Sequence, residues 1–166
     1  MPNSVTAESG EPIDPDIDLH QPEQERELLR SPGAILAATS CGGALGALAR
    51  YGLIQAWPTP AGHFPWAVFT INVLGCFLIG VLMVSITEIR PAHPVVRPFL
   101  GVGILGGFTT FSTYTNDIRA LLHPGAAVTA FAYLSGTLVC ALLATLTAIR
   151  LTRWVYRATS LRKAVA

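Results

Sequence analysis

From Ser31 onward the chain has only two carboxylate side chains, Glu88 and Asp117; the other eight acids (Glu8, Glu11, Asp14, Asp16, Asp18, Glu23, Glu25 and Glu27) all precede it. A body so poor in acid offers no paired carboxylates for general acid–base work and no acidic cage for a divalent cation. Cysteine is scarce and odd in number: Cys41, Cys76 and Cys140 fall in apolar segments, at spacings that match no metal motif, and read as small packing residues. His20, His63, His93 and His123 lie outside the apolar centres, so neither a histidine metal site nor a triad is expected, and no enzyme activity with them. Charge is sparse as well, at 13% of 166 residues. The net charge of +1 averages an acidic N-terminal stretch with a basic, apolar body, and gives no reason to expect a nucleic-acid partner.

What the chain has instead is apolar length. Hydrophobic residues make up 51% of it and the mean hydropathy is +0.50, unlike a soluble domain of this size. Residues 1–31 are the exception: Pro2, Pro12, Pro15 and Pro22 stand among the acids, and the apolar content is too low to offset the entropy of ordering, so a disordered acidic tail is expected. Its acidic start is unlike a signal peptide. A helical span needs about 20 mainly apolar residues. Four segments of residues 32–150 qualify, at about Gly33 to Trp57, Pro65 to Thr87, Val95 to Leu122 and Gly125 to Ile149. Ser31 followed by Pro32 is a helix start. The proline-rich connectors 58–64 and 88–94 predict tight turns between antiparallel helices. Residues 151–166 form a basic C-terminal tail.

Small residues recur along these segments, Ala38, Gly42 and Gly46 in the first and Asn72, Cys76 and Gly80 in the second, which lets helix backbones approach closely in lipid. Two polar residues share those faces. Arg50 follows seventeen uncharged residues from Gly33 and either faces the bundle interior or snorkels to the headgroups. Asn72 either glues helices together or offers its amide hydrogens to an anion.

The third segment is the most informative: Gly103-Ile104-Leu105-Gly106-Gly107-Phe108-Thr109-Thr110-Phe111-Ser112-Thr113-Tyr114-Thr115. Glycine weakens a helix, and serine and threonine bond their own backbone instead of extending it. In a bilayer a broken helix persists only where protein or water satisfies the freed groups, and transporters place ion sites at such breaks. A break around Gly106 to Thr110 ends the first half in carbonyls, suited to a cation, and begins the second with amides and the hydroxyls of Ser112 and Thr113, suited to an anion. Phe111 and Tyr114, three apart, share one face of that second half, where ring edges can meet an anion or simply pack. On the fourth segment Tyr133 and Thr137 share a face, with Ala141 a turn further.

Three stretches, Gly42-Gly43-Ala44-Leu45-Gly46-Ala47-Leu48-Ala49-Arg50-Tyr51, Asn72-Val73-Leu74-Gly75-Cys76-Phe77 and Gly106 to Tyr114, occur in order over roughly Ser31 to Ile149. In them the chain resembles the CrcB/Fluc family of fluoride channels. The resemblance implies an all-α membrane protein of four transmembrane helices, the third broken mid-membrane, paired as an antiparallel dimer in the cell membrane. It implies a passive fluoride-selective channel that relieves fluoride toxicity, with two pores per dimer and a structural sodium ion held by the carbonyls of Gly106 and Thr109. It places Phe111 and Tyr114 in an aromatic box, Asn72 as the pore amide and Arg50 at the vestibule. It also implies a polar track of Ser112, Thr113, Tyr133 and Thr137. Tyr114 stands where the family usually has phenylalanine, and Ala141 where a hydroxyl is common.

Arginine and lysine placement sets topology. Four crossings put Arg26, Arg30, Arg90, Arg97, Arg150, Arg153, Arg157, Arg162 and Lys163 on one side and Arg119 near the other, with Arg50 open to either reading. Both termini are therefore expected in the cytoplasm, and the partner is either a second copy or, given the bias, a homologous chain of opposite orientation. The competing reading is a small inverted-topology multidrug or cation exporter; that chemistry wants a carboxylate in the first helix, and Gly33 to Trp57 has none.

Overall fold

The computed structural model describes residues 32–89, 93, 95–123 and 125–165, with the side chains at 32 and 161–165 excepted. The expected acidic tail over 1–31, the Ser31 cap and Arg90 lie outside them. The described residues form helices joined by turns and short irregular stretches, with no strand among them.

α1 spans Pro32–Ala56. Its last bond runs from the Trp57 N–H to the Leu53 carbonyl at 3.0 Å, and Pro58 and Pro60, which have no N–H to donate, end it. The connector turns at Gly62, whose φ of 77° is in the left-handed region open to glycine. α2 covers Trp66–Val84 and continues as a π-turn through Ser85–Ile89. There the Ser85 and Thr87 hydroxyls bond back to the Val81 and Met83 carbonyls, each at 2.7 Å, the kind of competition that disturbs a helical ladder.

The next segment is built of short pieces. α3, Arg97–Leu105, is wound as a π-helix and passes directly into α4, Gly106–Phe108, and after two residues α5 runs over Phe111–Leu121. A second left-handed glycine, Gly125 at φ 100°, turns the chain into α6, Ala127–Val165. α6 passes well beyond Ile149, because no glycine or proline follows Gly136 to stop it.

α1, α2 with its π-turn, and α6 to Ser160 are long and apolar enough to cross a membrane. Large apolar side chains cover their outer faces, among them Leu48, Phe131, Leu138 and Leu142, all more than half exposed. Such a surface suits lipid rather than water. The chain is a multi-pass membrane protein. α2 and α6 pack along their length: the Thr145 hydroxyl donates to the Cys76 carbonyl at 3.0 Å, and Gly80 faces Thr145 and Ala148 with no room for a side chain. Val68, Tyr114, Leu121, Ala126, Ala130 and Tyr133 form a buried cluster at one end, with Phe64 and Phe69 packed against it.

Candidate ion site at a helix interruption

Between α4 and α5 the backbone is extended at two residues, Thr109 (φ −75°, ψ 157°) and Thr110 (φ −149°, ψ 126°). Extension here frees backbone groups that a continuous helix would have paired. Residues from two other helices take them up. From α1, the Arg50 Nε donates to the Gly107 carbonyl at 3.1 Å. From α2, the Asn72 amide closes both sides of Thr110: its Oδ1 accepts from the Thr110 N–H at 2.9 Å, and its Nδ2 donates to the Thr110 carbonyl at 3.0 Å. Arg50 and Asn72 therefore share the small-residue faces of α1 and α2 because those faces meet the interruption. Close approach is needed to reach it, and Gly42 and Gly46 lie directly on the backbone of α3 and α4.

Thr110 also starts α5. Its hydroxyl accepts from the Thr113 N–H at 3.1 Å, an N-cap, and contacts the hydroxyls of Ser112 and Thr113 at 3.3 and 3.1 Å. Ser112 and Thr113 are thus gathered at the cap. Thr110 is the residue that sequence reasoning passed over; the signal available was a threonine three positions ahead of Thr113, the spacing of an N-cap to its N3 amide.

A groove of about 690 Å³ opens beside the interruption, with Asn72, Thr109, Thr110, Phe111, Tyr114 and Thr137 on its wall. Phe111 is 77% exposed at its mouth, while Tyr114 is buried, the two ring centroids 5.9 Å apart. Thr137 is 5% exposed, and its Oγ1 has no hydrogen-bond partner among the described residues. Tyr133 lies elsewhere: fully buried in the end cluster, its ring is tilted against that of Tyr114 with centroids 5.1 Å apart and meets Phe64 edge-on at 5.2 Å, and its hydroxyl donates to Asp117 Oδ2 at 3.4 Å. A smaller pocket of about 200 Å³ holds Gly106 and Thr109 together, with Gly75, Gly101 and Leu105. Cys76 and Thr109 border both spaces. No group of three His, Cys, Asp or Glu residues able to hold a metal occurs among the described residues, so oxygen donors at this pocket come from the backbone and Thr109.

The residues that build this site fall within positions 37–149, the stretch that matches the family described as CrcB-like protein, Camphor Resistance (CrcB). The chain belongs to the CrcB-like family. This CrcB-like chain is 56% identical over 121 residues to a protein of Nocardia farcinica (strain IFM 10152) named fluoride-specific ion channel FluC 2, covering 73% of this chain and 86% of that one. It is 52% identical over 128 residues to fluoride-specific ion channel FluC 1 of Streptomyces coelicolor (strain ATCC BAA-471 / A3(2) / M145), covering 77% and 80%. A more distant relative, fluoride-specific ion channel FluC of Saccharophagus degradans (strain 2-40 / ATCC 43961 / DSM 17024), is 44% identical over 115 residues, covering 69% and 86%.

In this CrcB-like chain the Tyr114 hydroxyl does not point freely into the groove. It donates to the Leu134 carbonyl at 2.7 Å and ties α5 to α6. A neutral bond of this kind is worth about 0.5–1.5 kcal/mol net. Tyr114→Phe is therefore expected to lower the melting temperature of the detergent-solubilised protein by a few degrees, with the ring kept in place by Phe111 and Tyr133. An unchanged melting temperature would show that the hydroxyl adds nothing to the docking of α5.

Proposed function

We propose that this chain is the subunit of a passive, fluoride-selective channel that lets fluoride leave the cytoplasm and so relieves its toxicity. Family membership and the names of its relatives support the reading, and the observation that carries it is Thr137. A buried hydroxyl without a partner is costly in a protein interior, and Thr137 is one of the residues lining the groove that Asn72, Phe111 and Tyr114 also border. Fluoride is small and strongly hydrated, so its path must replace water with donors. Thr137 Oγ1–H can supply one. Asn72 has two amide hydrogens, and only one goes to the Thr110 carbonyl. Ring edges of Phe111 and Tyr114 add weak positive charge. No carboxylate borders the groove, which suits a channel better than a proton-coupled exporter, and α1 carries none for the exporter's chemistry.

The finer reading rests on the resemblance to the fluoride channels and on the placement of arginine and lysine. Residues 95–122 form a third crossing, interrupted mid-membrane at Thr109 and Thr110. Two subunits pair in inverted orientation, either two copies or this chain with a homologue, both termini of this one facing the cytoplasm. A structural sodium ion is held by the Gly106 and Thr109 carbonyls of both subunits. The pocket beside Gly106 and Thr109 carries no charged side chain, which suits a hard monovalent cation held by neutral oxygens, two from each subunit in this reading. Such an ion would supply positive charge where the first half-helix ends.

The test is ion efflux from liposomes containing the purified chain, alone and with any homologous neighbour. Fluoride is expected to leave and chloride to stay; comparable chloride efflux would sink the selectivity. Thr137→Val is expected to leave folding unharmed, since it removes an unpaired buried hydroxyl, while fluoride efflux falls roughly tenfold or more, the worth of one hydrogen bond to an ion. Undiminished flux would put Thr137 outside the path.

A further inference from the structure

α6 is 39 residues long. At 1.5 Å per residue that is about 58 Å, nearly twice a hydrocarbon core of about 30 Å. Its first turns are fixed at one end of the bundle, where Ala130 and Tyr133 are buried in the aromatic cluster. The excess length therefore emerges at the opposite end, from about Arg150 on.

Arg150, Arg153 and Arg157 lie three and four residues apart in this stretch, so they form one stripe along the helix. Arg153 is committed: its Nε meets both Glu88 carboxylate oxygens, at 2.9 and 3.0 Å, and ties α6 to the end of α2. This is the one ion pair found among the described residues, and it uses the only carboxylate among those residues at that end of the bundle. Arg150 and Arg157 remain exposed a turn on either side of it. Beside the stripe stand Leu151 and Trp154, also exposed, Trp154 at 67%. Cations flanked by an outward-facing tryptophan and an aliphatic side chain, just past the hydrocarbon depth, have the composition of a membrane-interface anchor.

We propose that Arg150 and Arg157, with Trp154 between them, form a binding surface for anionic phospholipid headgroups. The Glu88–Arg153 clamp holds this surface at headgroup depth and at a fixed rotation. Each cation near an anionic leaflet is worth roughly fivefold in lipid preference, and salt screens it. The proposal rests on α6 crossing a bilayer and not on the ion that the protein conducts.

The test reads lipid and not flux. In a Trp57→Phe/Trp66→Phe protein, Trp154 is the only indole. Reconstituted into phosphatidylcholine vesicles, it is expected to be quenched several-fold more by a small fraction of brominated phosphatidylglycerol than by the same fraction of brominated phosphatidylcholine. Arg150→Gln with Arg157→Gln should bring that ratio close to one, high salt should lower it, and Arg119→Gln at the other end of the bundle should leave it alone. In parallel, the chain with its natural tryptophans should retain phosphatidylglycerol through purification, and the double variant should lose most of it. Equal quenching by the two lipids, or a preference that survives loss of both arginines, would overturn the proposal.

Discussion

Replacing Asn72 by leucine is expected to unlatch the helix interruption and to cost on the order of 3 kcal/mol of stability. The two side chains are close in size, so the loss is chemical. Thr110 is buried, and the bond from its N–H to the Asn72 Oδ1 is the one that the structure gives that donor across the extended stretch. Its carbonyl differs, because an N-cap carbonyl also accepts the first bond of the following helix. The expected signature is thus asymmetric: amide hydrogen exchange at Thr110 should rise sharply in Asn72→Leu, while α5 further along stays protected. Asn72→Asp separates the two halves of the latch. The carboxylate keeps the acceptor for the Thr110 N–H and loses the donor to the carbonyl, so exchange at Thr110 should stay slow although the variant carries a new charge beside the groove. Fast exchange in both variants would mean that the amide donor, not its oxygen, holds the turn. Slow exchange in Asn72→Leu would mean that Thr110 finds another acceptor and the latch is dispensable.

The same latch explains how far the sequence could be read. Apolar runs of membrane length locate α1, α2 and α6, because their hydrophobic content is a local property of the chain. They say where lipid can be tolerated, not where a helix stops. The end expected for the last helix near Ile149 follows a change in polarity, whereas α6 continues through Arg150, Arg153 and Arg157, residues that favour helix as strongly as leucine does. α3 is π-wound where Gly101 packs against α2 and Gly103 against α1, tertiary contacts that no local pattern announces.

At the site, residue types were legible and partners were not. The clustered glycines and hydroxyls between Gly103 and Thr115 announce an interrupted ladder. That Asn72 closes it from 38 positions away, and Arg50 from 57, depends on how helices align. Tyr133 shows the limit of facial arithmetic. It is one turn from Thr137 on α6, yet its ring is buried against Phe64 and Tyr114 and its hydroxyl turns to Asp117. A shared helical face does not ensure a shared cavity when an aromatic ring is long enough to reach a different neighbour.

Gly46→Leu is expected to be the most damaging single change in α1, and Gly46→Ala to show why. A methyl group at Gly46 would fall on the Ile104 carbonyl and 2.8 Å from the Phe108 nitrogen, all backbone, with no flexible side chain to swing aside. α1 must then move away from α3 and α4, and Arg50, one turn further along, is carried off the Gly107 carbonyl. In a membrane the loss is not made good by hydrophobic burial, because lipid is as apolar as the helix it replaces. Overpacking typically costs about 1–3 kcal/mol for an added methyl or two, and a leucine should exceed that. Gly52 in the same helix is the control, since nothing lies within 4 Å of the position its methyl would take. Gly52→Ala should be neutral or stabilising by about 0.5–1 kcal/mol through helix propensity alone. Thermal unfolding in detergent should therefore separate two chemically identical substitutions in one helix by several degrees. Equal melting temperatures would mean that α1 is not held against the interruption by close backbone contact at Gly46.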